Sequence, residues 1–336
     1  MLKRSILSIL LVCLLSIAVT VFPVMAETKF IGIVTGSTGG TFYPVGVIFA
    51  TILDEELKDI GYRFSAHTSG GSAENLEMIR NKEIEMIIVG SVPTAQAYLG
   101  TESYEGKAIK NVRFVSALYA EAMEVIYRKG IGIKTFADLK GKKVGVGPAG
   151  GGGSIYFPPI LKAIAGLTFD DFSPQYLGYE DMSRAIQDRL IDAAYMAGRV
   201  PSSSVSEIYA SRVPVDMIEF TGEDIVKVQK IAPYFAPIII PKGTYKNQDR
   251  DLKLIGVKTS LSVEKDLDDD VVYKMLEVIY IKRLDDLKKQ HSALKYQSLD
   301  GAIEGLSGAP LHPGAVRFYR DHGIEVPDSL IPPEMK

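Results

Sequence analysis

The sequence predicts an α/β protein of two lobes joined by a hinge. Strand-like and helix-like segments alternate along nearly the whole chain, which is typical of lobes built around largely parallel sheets. The length of 336 residues suggests two domains of about 150 residues each. A proline-rich stretch at 232–241 marks a return from the second lobe to the first, and two crossings between lobes make a hinge.

The N-terminal segment has the pattern of a secretory signal peptide. Lys3 and Arg4 precede an apolar run at 6–24, and Ala26 ends the run before polar residues. We expect cleavage after Ala26 and a periplasmic mature chain. A retained membrane anchor is the alternative, because the run is about long enough to span a bilayer. Cys13 lies in the middle of the run, which disfavours a lipoprotein.

Composition excludes several classes of function. Cleavage after Ala26 would leave 310 residues without a cysteine, because Cys13 is the only one, so disulfides and thiol catalysis are not expected. Loss of Lys3 and Arg4 would change the formal net charge from −3 to −5. A mildly acidic chain without a basic cluster argues against nucleic acid as a partner. The mature chain has no second long apolar run, so we expect it to be soluble.

The first lobe begins with a buried strand at 30–34, and Pro44 suits the first turn of an amphipathic helix at 43–58. The elements that follow are a strand at 62–66, a helix at 73–81, and strands at 85–90 and 113–118.

The second lobe alternates in the same way. It contains strands at 124–128, 142–147, 175–177 and 192–196, and helices at 156–166 and 181–190. After the return, a strand at 255–261 and a long helix at 270–290 with an apolar face complete the first lobe. We place lobe 1 at 27–117 and 242–336, and lobe 2 at 118–241.

Four strand-end loops are candidates for a ligand site. They lie at 35–41, 69–72, 147–154 and 198–201, and three of them are rich in glycine and hydroxyl side chains. Ligands of α/β sheets bind where strand ends meet helix N-termini, whose N–H groups favour anions. A cleft between the lobes could collect all four loops.

Nucleotide and catalytic readings of these loops are weak. The run 145–150 matches G-x-G-x-x-G, but Pro148 stiffens it, and Gly153 stands where a P-loop needs lysine. No serine lies in a G-x-S-x-G elbow, and the four histidines are scattered. We therefore expect no catalytic residue, no metal and no cofactor.

Two tyrosines and one arginine border the predicted loops. Tyr43 and Tyr195 are candidate ligand contacts, although tyrosines are more often core residues. Arg199 follows a strand-end glycine and could fork onto a carboxylate, while a solvated loop arginine fits equally well.

Several collinear segments together resemble the TAXI-type solute-binding proteins, the extracytoplasmic receptors of one branch of the TRAP transporters. The resembling segments lie at 36–44, 70–76, 118–121, 136–144, 191–193 and 311–315. The resemblance implies a two-lobed periplasmic-binding-protein-like fold of type II. It also implies a receptor that binds a small organic anion, such as glutamate, glutamine or 2-oxoglutarate, and delivers it to an integral membrane permease.

The loops and the resemblance together predict a set of ligand-binding residues. They are Gly36, Ser37, Thr38, Gly39, Thr41, Tyr43, Gly71, Ser72, Ser91, Gly150, Gly151, Gly152, Gly153, Tyr195 and Arg199.

The chain departs from the family pattern at the cleft. The run Gly150 to Gly153 lacks two hydroxyls that relatives carry, an acidic residue is missing near Val92, and Arg199 adds a positive charge. These departures predict a more positive cleft and a preference for a dicarboxylate or 2-oxo acid without an ammonium group. A receptor for phosphate or another inorganic oxyanion, and an exported hydrolase, remain alternatives.

Overall fold

The computed structural model describes residues 28–232 and 234–336. The predicted signal peptide, residues 1–26, lies outside this part of the chain. None of the helices that the described residues form combines the length and the apolar character needed to cross a bilayer.

The described residues form ten strands and ten α-helices. The strands are β1 (Lys29–Val34), β2 (Tyr62–His67), β3 (Met86–Gly90), β4 (Val112–Arg128), β5 (Lys143–Gly145), β6 (Ser173–Gln175), β7 (Ala193–Gly198), β8 (Val215–Met217), β9 (Ala236–Ile240) and β10 (Leu252–Glu264). The helices are α1 (Phe42–Leu57), α2 (Ser72–Arg80), α3 (Ser91–Leu99), α4 (Gly153–Ala165), α5 (Tyr179–Gln187), α6 (Ser203–Ala210), α7 (Gly222–Ile231), α8 (Asp269–Glu277), α9 (Leu284–Gln290) and α10 (Pro313–Asp321).

All ten strands belong to one sheet, in which the same order occurs twice. The main path is β2-β1-β3-β10-β4-β7-β5-β6, with β8 beside β4 and β9 beside β10. One half therefore reads β2-β1-β3-β10-β4 and the other β6-β5-β7-β4-β8. In the first half β10 is antiparallel to its neighbours β3 and β4, and in the second half β4 is antiparallel to its neighbours β7 and β8. Both β4 and β10 cross from one half to the other.

Strand directions bring the strand ends of the two halves together. β3 and β4 are both antiparallel to β10, so they run in the same direction, whereas β7 is antiparallel to β4. The carboxyl ends of the parallel strands in each half therefore point toward the other half. This places the strand-end loops of both halves on either side of one cleft.

The crossing strand β4 corrects one prediction. The sequence predicts separate strands at 113–118 and 124–128, but β4 is continuous over 17 residues, or about 55 Å at ordinary strand rise. The intervening residues stay in the ladder because Ala120 pairs with Lys258 and Glu121 with Val257 of β10. Irregularities of register near Ser260 and Ser262 bend the pair without breaking it.

The buried apolar residues along β4 and β10 belong to two clusters, and the division between the clusters falls within these two strands. One cluster extends along β4 as far as Tyr119 and resumes in β10 at Leu261, and a second runs from Ala122 to Val257. Tyr245 packs in the second cluster, so the return at 242 predicted from the sequence comes too early for this division of the core. We propose lobe boundaries inside the crossing strands, with lobe 1 at 28–120 and 258–336, and lobe 2 at 121–257.

The long helix predicted at 270–290 is interrupted. Asp268 caps α8, a π-helical turn follows at Val278–Lys282, and Arg283 leaves helical geometry before α9. The Arg283 guanidinium binds the carboxylates of Glu55, Glu56 and Asp286, which ties the break to α1.

Candidate ligand-binding site

A small cavity lies between the lobes at the facing strand ends. Lobe 1 contributes the loop after β1 and the turn before α2, and lobe 2 contributes the loop after β5 and the end of β7. Its free volume is about 40 Å³, room for about three water molecules.

Asn75 holds two of the loops in place. Its side-chain amide is fully buried and donates to the carbonyls of Thr35 at 2.7 Å and Ile88 at 2.9 Å. The Ser69 hydroxyl donates to Asn75 Oδ1 at 2.6 Å, and the N–H of Gly71 donates to Ser69 Oγ at 3.0 Å. The ends of β1 and β3 and the turn before α2 are thus one rigid unit.

Helix N-termini supply backbone donors to the cavity. Phe42 and Ser72 are the first residues of α1 and α2, and both line the cavity. Within the described ranges, their N–H groups have no protein acceptor. Gly152, directly before α4, lines the opposite wall. Three helix starts with positive dipole ends favour a negative group in the ligand.

Hydroxyl groups add donors around the cavity. Tyr156 is 1% exposed and lines the cavity, and its hydroxyl has no partner among the described residues. The Tyr179 hydroxyl accepts from the N–H of Ala197 at 2.9 Å, so its own proton is free to donate. Burial raises the pKa of both tyrosines, which keeps these hydroxyls protonated.

Among the described residues that line the cavity, Glu121 has the one carboxyl side chain. Glu121 on β4 is 3% exposed, and in the part of the chain that the structure describes its carboxyl has no hydrogen-bonding or charged partner. Burial raises the pKa of this carboxyl to about 8. A buried carboxyl without a partner is costly unless a ligand supplies one.

Glu124, three residues further along β4, is a second buried carboxyl with a different role. It is fully buried, accepts a hydrogen bond from the Tyr245 hydroxyl at 2.6 Å and does not line the cavity. Burial raises its pKa to about 8 as well.

The cavity brings together six of the predicted site residues. They are Gly36, Ser37, Thr41, Gly71, Ser72 and Gly152. The other nine do not line it and lie in the core, on the surface or at contacts between the lobes. They are Thr38, Gly39, Tyr43, Ser91, Gly150, Gly151, Gly153, Tyr195 and Arg199.

Tyr195 and Ser91 are placed as structural residues. Tyr195 is fully buried, its ring stacks on Phe157 at 4.5 Å between centroids, and its hydroxyl donates to the sulfur of Met123 at 2.8 Å. Ser91 Oγ donates to the carbonyl of Lys258 at 3.0 Å, which joins α3 to β10. Both residues were predicted as ligand contacts because they lie at strand ends next to loops. That position does not decide whether a side chain faces the cleft, because successive side chains of a strand point to opposite faces.

Arg199 and Tyr43 stand beside the cavity rather than in it. The backbone N–H of Arg199 donates to Thr41 Oγ1 at 3.1 Å, a contact between the lobes. No lysine, arginine or histidine is among the described residues that line the cavity, so the expected more positive cleft is not what the structure contains. Phe42, not Tyr43, is the aromatic residue of α1 that lines the cavity.

The glycine run is needed for backbone contacts. A Cβ at Gly153 would lie 1.9 Å from the carbonyl oxygen of Val146, so glycine is required where α4 begins. A Cβ at Gly151 would lie 2.8 Å from the carbonyl oxygen of Gly70 in the other lobe. These glycines serve close packing of the loop, and only Gly152 lines the cavity.

Sequence reasoning missed eight residues that line the cavity: Gly40, Phe42, Gly70, Glu121, Pro148, Tyr156, Tyr179 and Ala197. Gly40, Phe42, Gly70 and Pro148 belong to the predicted loops or adjoin them. Glu121 carried a signal of its own, since it is a charged residue within an apolar strand. Among residues 28–232 and 234–336, no three His, Cys, Asp or Glu side chains form a cluster that could hold a metal.

The repeated strand order, the two crossing strands and the cavity between the lobes define an α/β fold of the two-lobed periplasmic-binding-protein type, as the sequence predicted. The model of the NMT1-like family matches residues 33–323. The chain therefore belongs to the NMT1-like family.

The chain also matches solved structures at low sequence identity. A protein from Bordetella bronchiseptica RB50 is 18% identical with a TM-score of 0.51, and the match covers 90% of this chain and 91% of that one. A putative L-cystine ABC transporter protein from Listeria monocytogenes is 16% identical with a TM-score of 0.46, covering 78% and 94%. The periplasmic aliphatic sulphonate binding protein SsuA from Escherichia coli is 16% identical with a TM-score of 0.40, covering 88% and 84%.

Proposed function

We propose that the protein is an extracytoplasmic receptor that binds a small organic anion between its lobes and delivers it to a membrane permease. The observation that carries this proposal is the cavity, in which backbone and hydroxyl donors from both lobes converge at helix N-termini. Such donors hold an anion without many full charges, so the ligand can be released again.

The permease is proposed to be that of a TRAP transporter of the TAXI branch. Support for this branch comes from the six collinear segments that resemble TAXI-type receptors. The match to the NMT1-like family over residues 33–323 supports only the broader class of solute-binding proteins. The N-terminal signal pattern supports export to the periplasm, with cleavage after Ala26 proposed from the sequence.

Glu121 bears on which organic anion is bound. The sequence favoured a dicarboxylate or 2-oxo acid because Arg199 was expected in the cleft, but Arg199 does not line the cavity and Glu121 does. A ligand with both a carboxylate and an ammonium group would satisfy the helix N-termini and Glu121 together. Among the candidates, glutamate therefore fits the cavity better than 2-oxoglutarate.

A linked proton distinguishes the two ligands. Burial raises the pKa of Glu121 to about 8, so at pH 7 the carboxyl in the empty cavity is mostly protonated. An ammonium group beside it favours the ionised form, so binding of glutamate should release a proton. A 2-oxo acid offers no cation, and its binding should leave Glu121 protonated as a hydrogen-bond donor.

Isothermal titration of the exported protein at pH 7 tests these points with L-glutamate, 2-oxoglutarate and inorganic phosphate. We expect tighter binding of L-glutamate, with proton release that is seen as a dependence of the heat on the ionisation enthalpy of the buffer. Glu121→Gln should weaken L-glutamate binding about 10- to 100-fold, as expected for a lost hydrogen bond to a charged group, and abolish the proton release.

Glu124→Gln is the matched control, because Glu124 is equally buried on the same strand but does not line the cavity. It should retain the affinity and the proton release of the parent. A parent that prefers 2-oxoglutarate would overturn the role given to Glu121. A parent that binds phosphate but neither organic anion would instead support the inorganic oxyanion receptor.

A further inference from the structure

The first loop of lobe 1 is bound by the start of a helix in lobe 2. The carbonyl oxygen of Gly39 accepts hydrogen bonds from the hydroxyls of Ser203 and Ser204, each at 3.0 Å. Both serines lie in the first turn of α6, and Ser204 is 1% exposed. A Cβ at Gly39 would lie 2.3 Å from Ser204 Oγ, so the close approach depends on glycine.

The corresponding loop of lobe 2 is bound by the start of a helix in lobe 1. The carbonyl oxygen of Gly150 accepts from the backbone N–H groups of Ala73, at 2.9 Å, and Glu74, at 3.0 Å, in the first turn of α2. The backbones of Gly70 in lobe 1 and Ala149 in lobe 2 also approach closely beside this contact. A Cβ at Gly70 would lie 2.5 Å from the carbonyl oxygen of Ala149.

The two contacts are reciprocal. The loop after β1 in lobe 1 and the loop after β5 in lobe 2 each present a glycine carbonyl to the N-terminal turn of a helix in the other lobe, where the dipole favours an acceptor. Neither Gly39 nor Gly150 lines the cavity, although Gly40 does, as do Pro148 and Gly152 two residues to either side of Gly150. The contacts therefore join the lobes on either side of the ligand site without occupying it.

We propose that these two contacts form a reciprocal latch that stabilises the closed arrangement of the lobes and so sets the ligand affinity without touching the ligand. Ser203 and Ser204 are positioning residues in this latch. This inference goes beyond the proposed function, because it concerns the balance between open and closed lobes for any ligand. If a ligand binds the closed form, its apparent affinity scales with the closed fraction.

Closure can be measured by pulsed electron paramagnetic resonance without any ligand. In a Cys13→Ser background, which removes the only native cysteine, spin labels are attached at Tyr296→Cys in lobe 1 and Leu190→Cys in lobe 2. Both positions are well exposed, at 74% and 64%. The exported, extensively dialysed protein is measured, and we expect a main population at a short distance between the labels.

Two variants weaken the two halves of the latch. Ser203→Ala combined with Ser204→Ala removes both hydroxyls that bind Gly39, and Gly70→Ala places a methyl group against Ala149. Loss of one or two neutral hydrogen bonds should lower the ratio of closed to open molecules about 3- to 10-fold or more. Each variant should therefore move population to longer distances. Ser203→Thr keeps the hydroxyl at an exposed position and should behave as the parent.

Each variant has a matched control. Ser206→Ala removes a hydroxyl on the same helix that binds only the carbonyl of Ser202, at 2.6 Å. Gly222→Ala adds a methyl group where nothing lies within 4 Å. Both controls should keep the distance distribution of the parent, and all variants should unfold at similar temperatures. The latch is refuted if the parent has no short-distance population, or if both test variants match their controls.

Discussion

At the scale of single residues, the hydroxyls of Tyr156 and Tyr195 show how position within an element decides function. The side chains come from α4 and β7, and both are almost fully buried. Only Tyr156 lines the cavity, where its hydroxyl has no partner among the described residues, while Tyr195 donates to the sulfur of Met123. The tyrosine that the sequence singled out is therefore the structural one.

Tyr156→Phe should leave the free energy of unfolding unchanged or raise it by up to about 1 kcal/mol, because it removes a buried hydroxyl without a partner. The same change should weaken binding of any anion that the hydroxyl contacts. Urea unfolding and titration with L-glutamate and 2-oxoglutarate measure the two effects.

Tyr195→Phe is the comparison for this variant, since it loses only a weak bond to sulfur inside the core. We expect its ligand affinity to equal that of the parent. A loss of affinity in Tyr195→Phe as large as in Tyr156→Phe would mean that the cavity is shaped by core packing and not by the Tyr156 hydroxyl.

The position of a residue at the cavity could be predicted from the sequence where the pattern is local. Gly36, Ser37 and Thr41 could be predicted to lie at the cavity because glycine and hydroxyl residues between a buried strand and an amphipathic helix form a strand-end loop. The position of Glu121 at the cavity could not be predicted in this way, because it depends on the pairing of β4 with β10, which joins distant parts of the chain. Arg199 was misplaced because side-chain direction after a strand end depends on the local turn.

At the scale of elements, strongly patterned segments were predicted well. The predicted strands at 30–34, 62–66 and 85–90 correspond to β1, β2 and β3, and the helix at 43–58 corresponds to α1. Helices α3, α6, α7 and α10 were missed because they are short and begin with small residues or proline, which are also common in loops. The crossing at β4 was taken for a break because it carries Glu121 and Glu124 between apolar residues.

Strand β4 should also make stability depend on pH. Burial raises the pKa of Glu124 to about 8 from an ordinary value of about 4.5. The folded state therefore holds a proton that the unfolded chain releases between those pH values, so the free energy of unfolding falls as the pH rises through this window. One such group contributes roughly 1.4 kcal/mol per pH unit.

Glu124→Gln removes this proton while its side chain can still accept from the Tyr245 hydroxyl. Compared with the parent, the variant should lose less stability between pH 6 and pH 8, and it should be more stable at pH 8. Urea unfolding across this range measures the slope. Equal slopes for the two proteins would show that Glu124 is ionised in the folded state or is hydrated.

At the scale of the whole molecule, two copies of one strand order face each other across two shared strands. The order β2-β1-β3-β10-β4 of one half recurs as β6-β5-β7-β4-β8 in the other, and each half receives its antiparallel strand from its partner. The alternation of elements could be predicted from the sequence. The extent of β4 and β10 could not, because strand length in a sheet depends on partners elsewhere in the chain.

The same architecture fixes an order of events during folding. Lobe 2 is one continuous segment, whereas the lobe 1 sheet needs β10, whose Glu264 pairs with Val112 and whose Leu261 pairs with Ile88. Closing so long a loop is slow compared with pairing nearby strands.

We therefore expect amides of β5 and β7 to gain protection from hydrogen exchange before those of β3 during refolding, as measured by pulse labelling and mass spectrometry. Simultaneous protection of all these strands would argue for a single cooperative step. In a chain synthesised from its N-terminus, β3 can pair with β1 early but must wait for its second neighbour, β10, until the ribosome has passed residue 264. The first part of the protein to be made is therefore among the last to be completed.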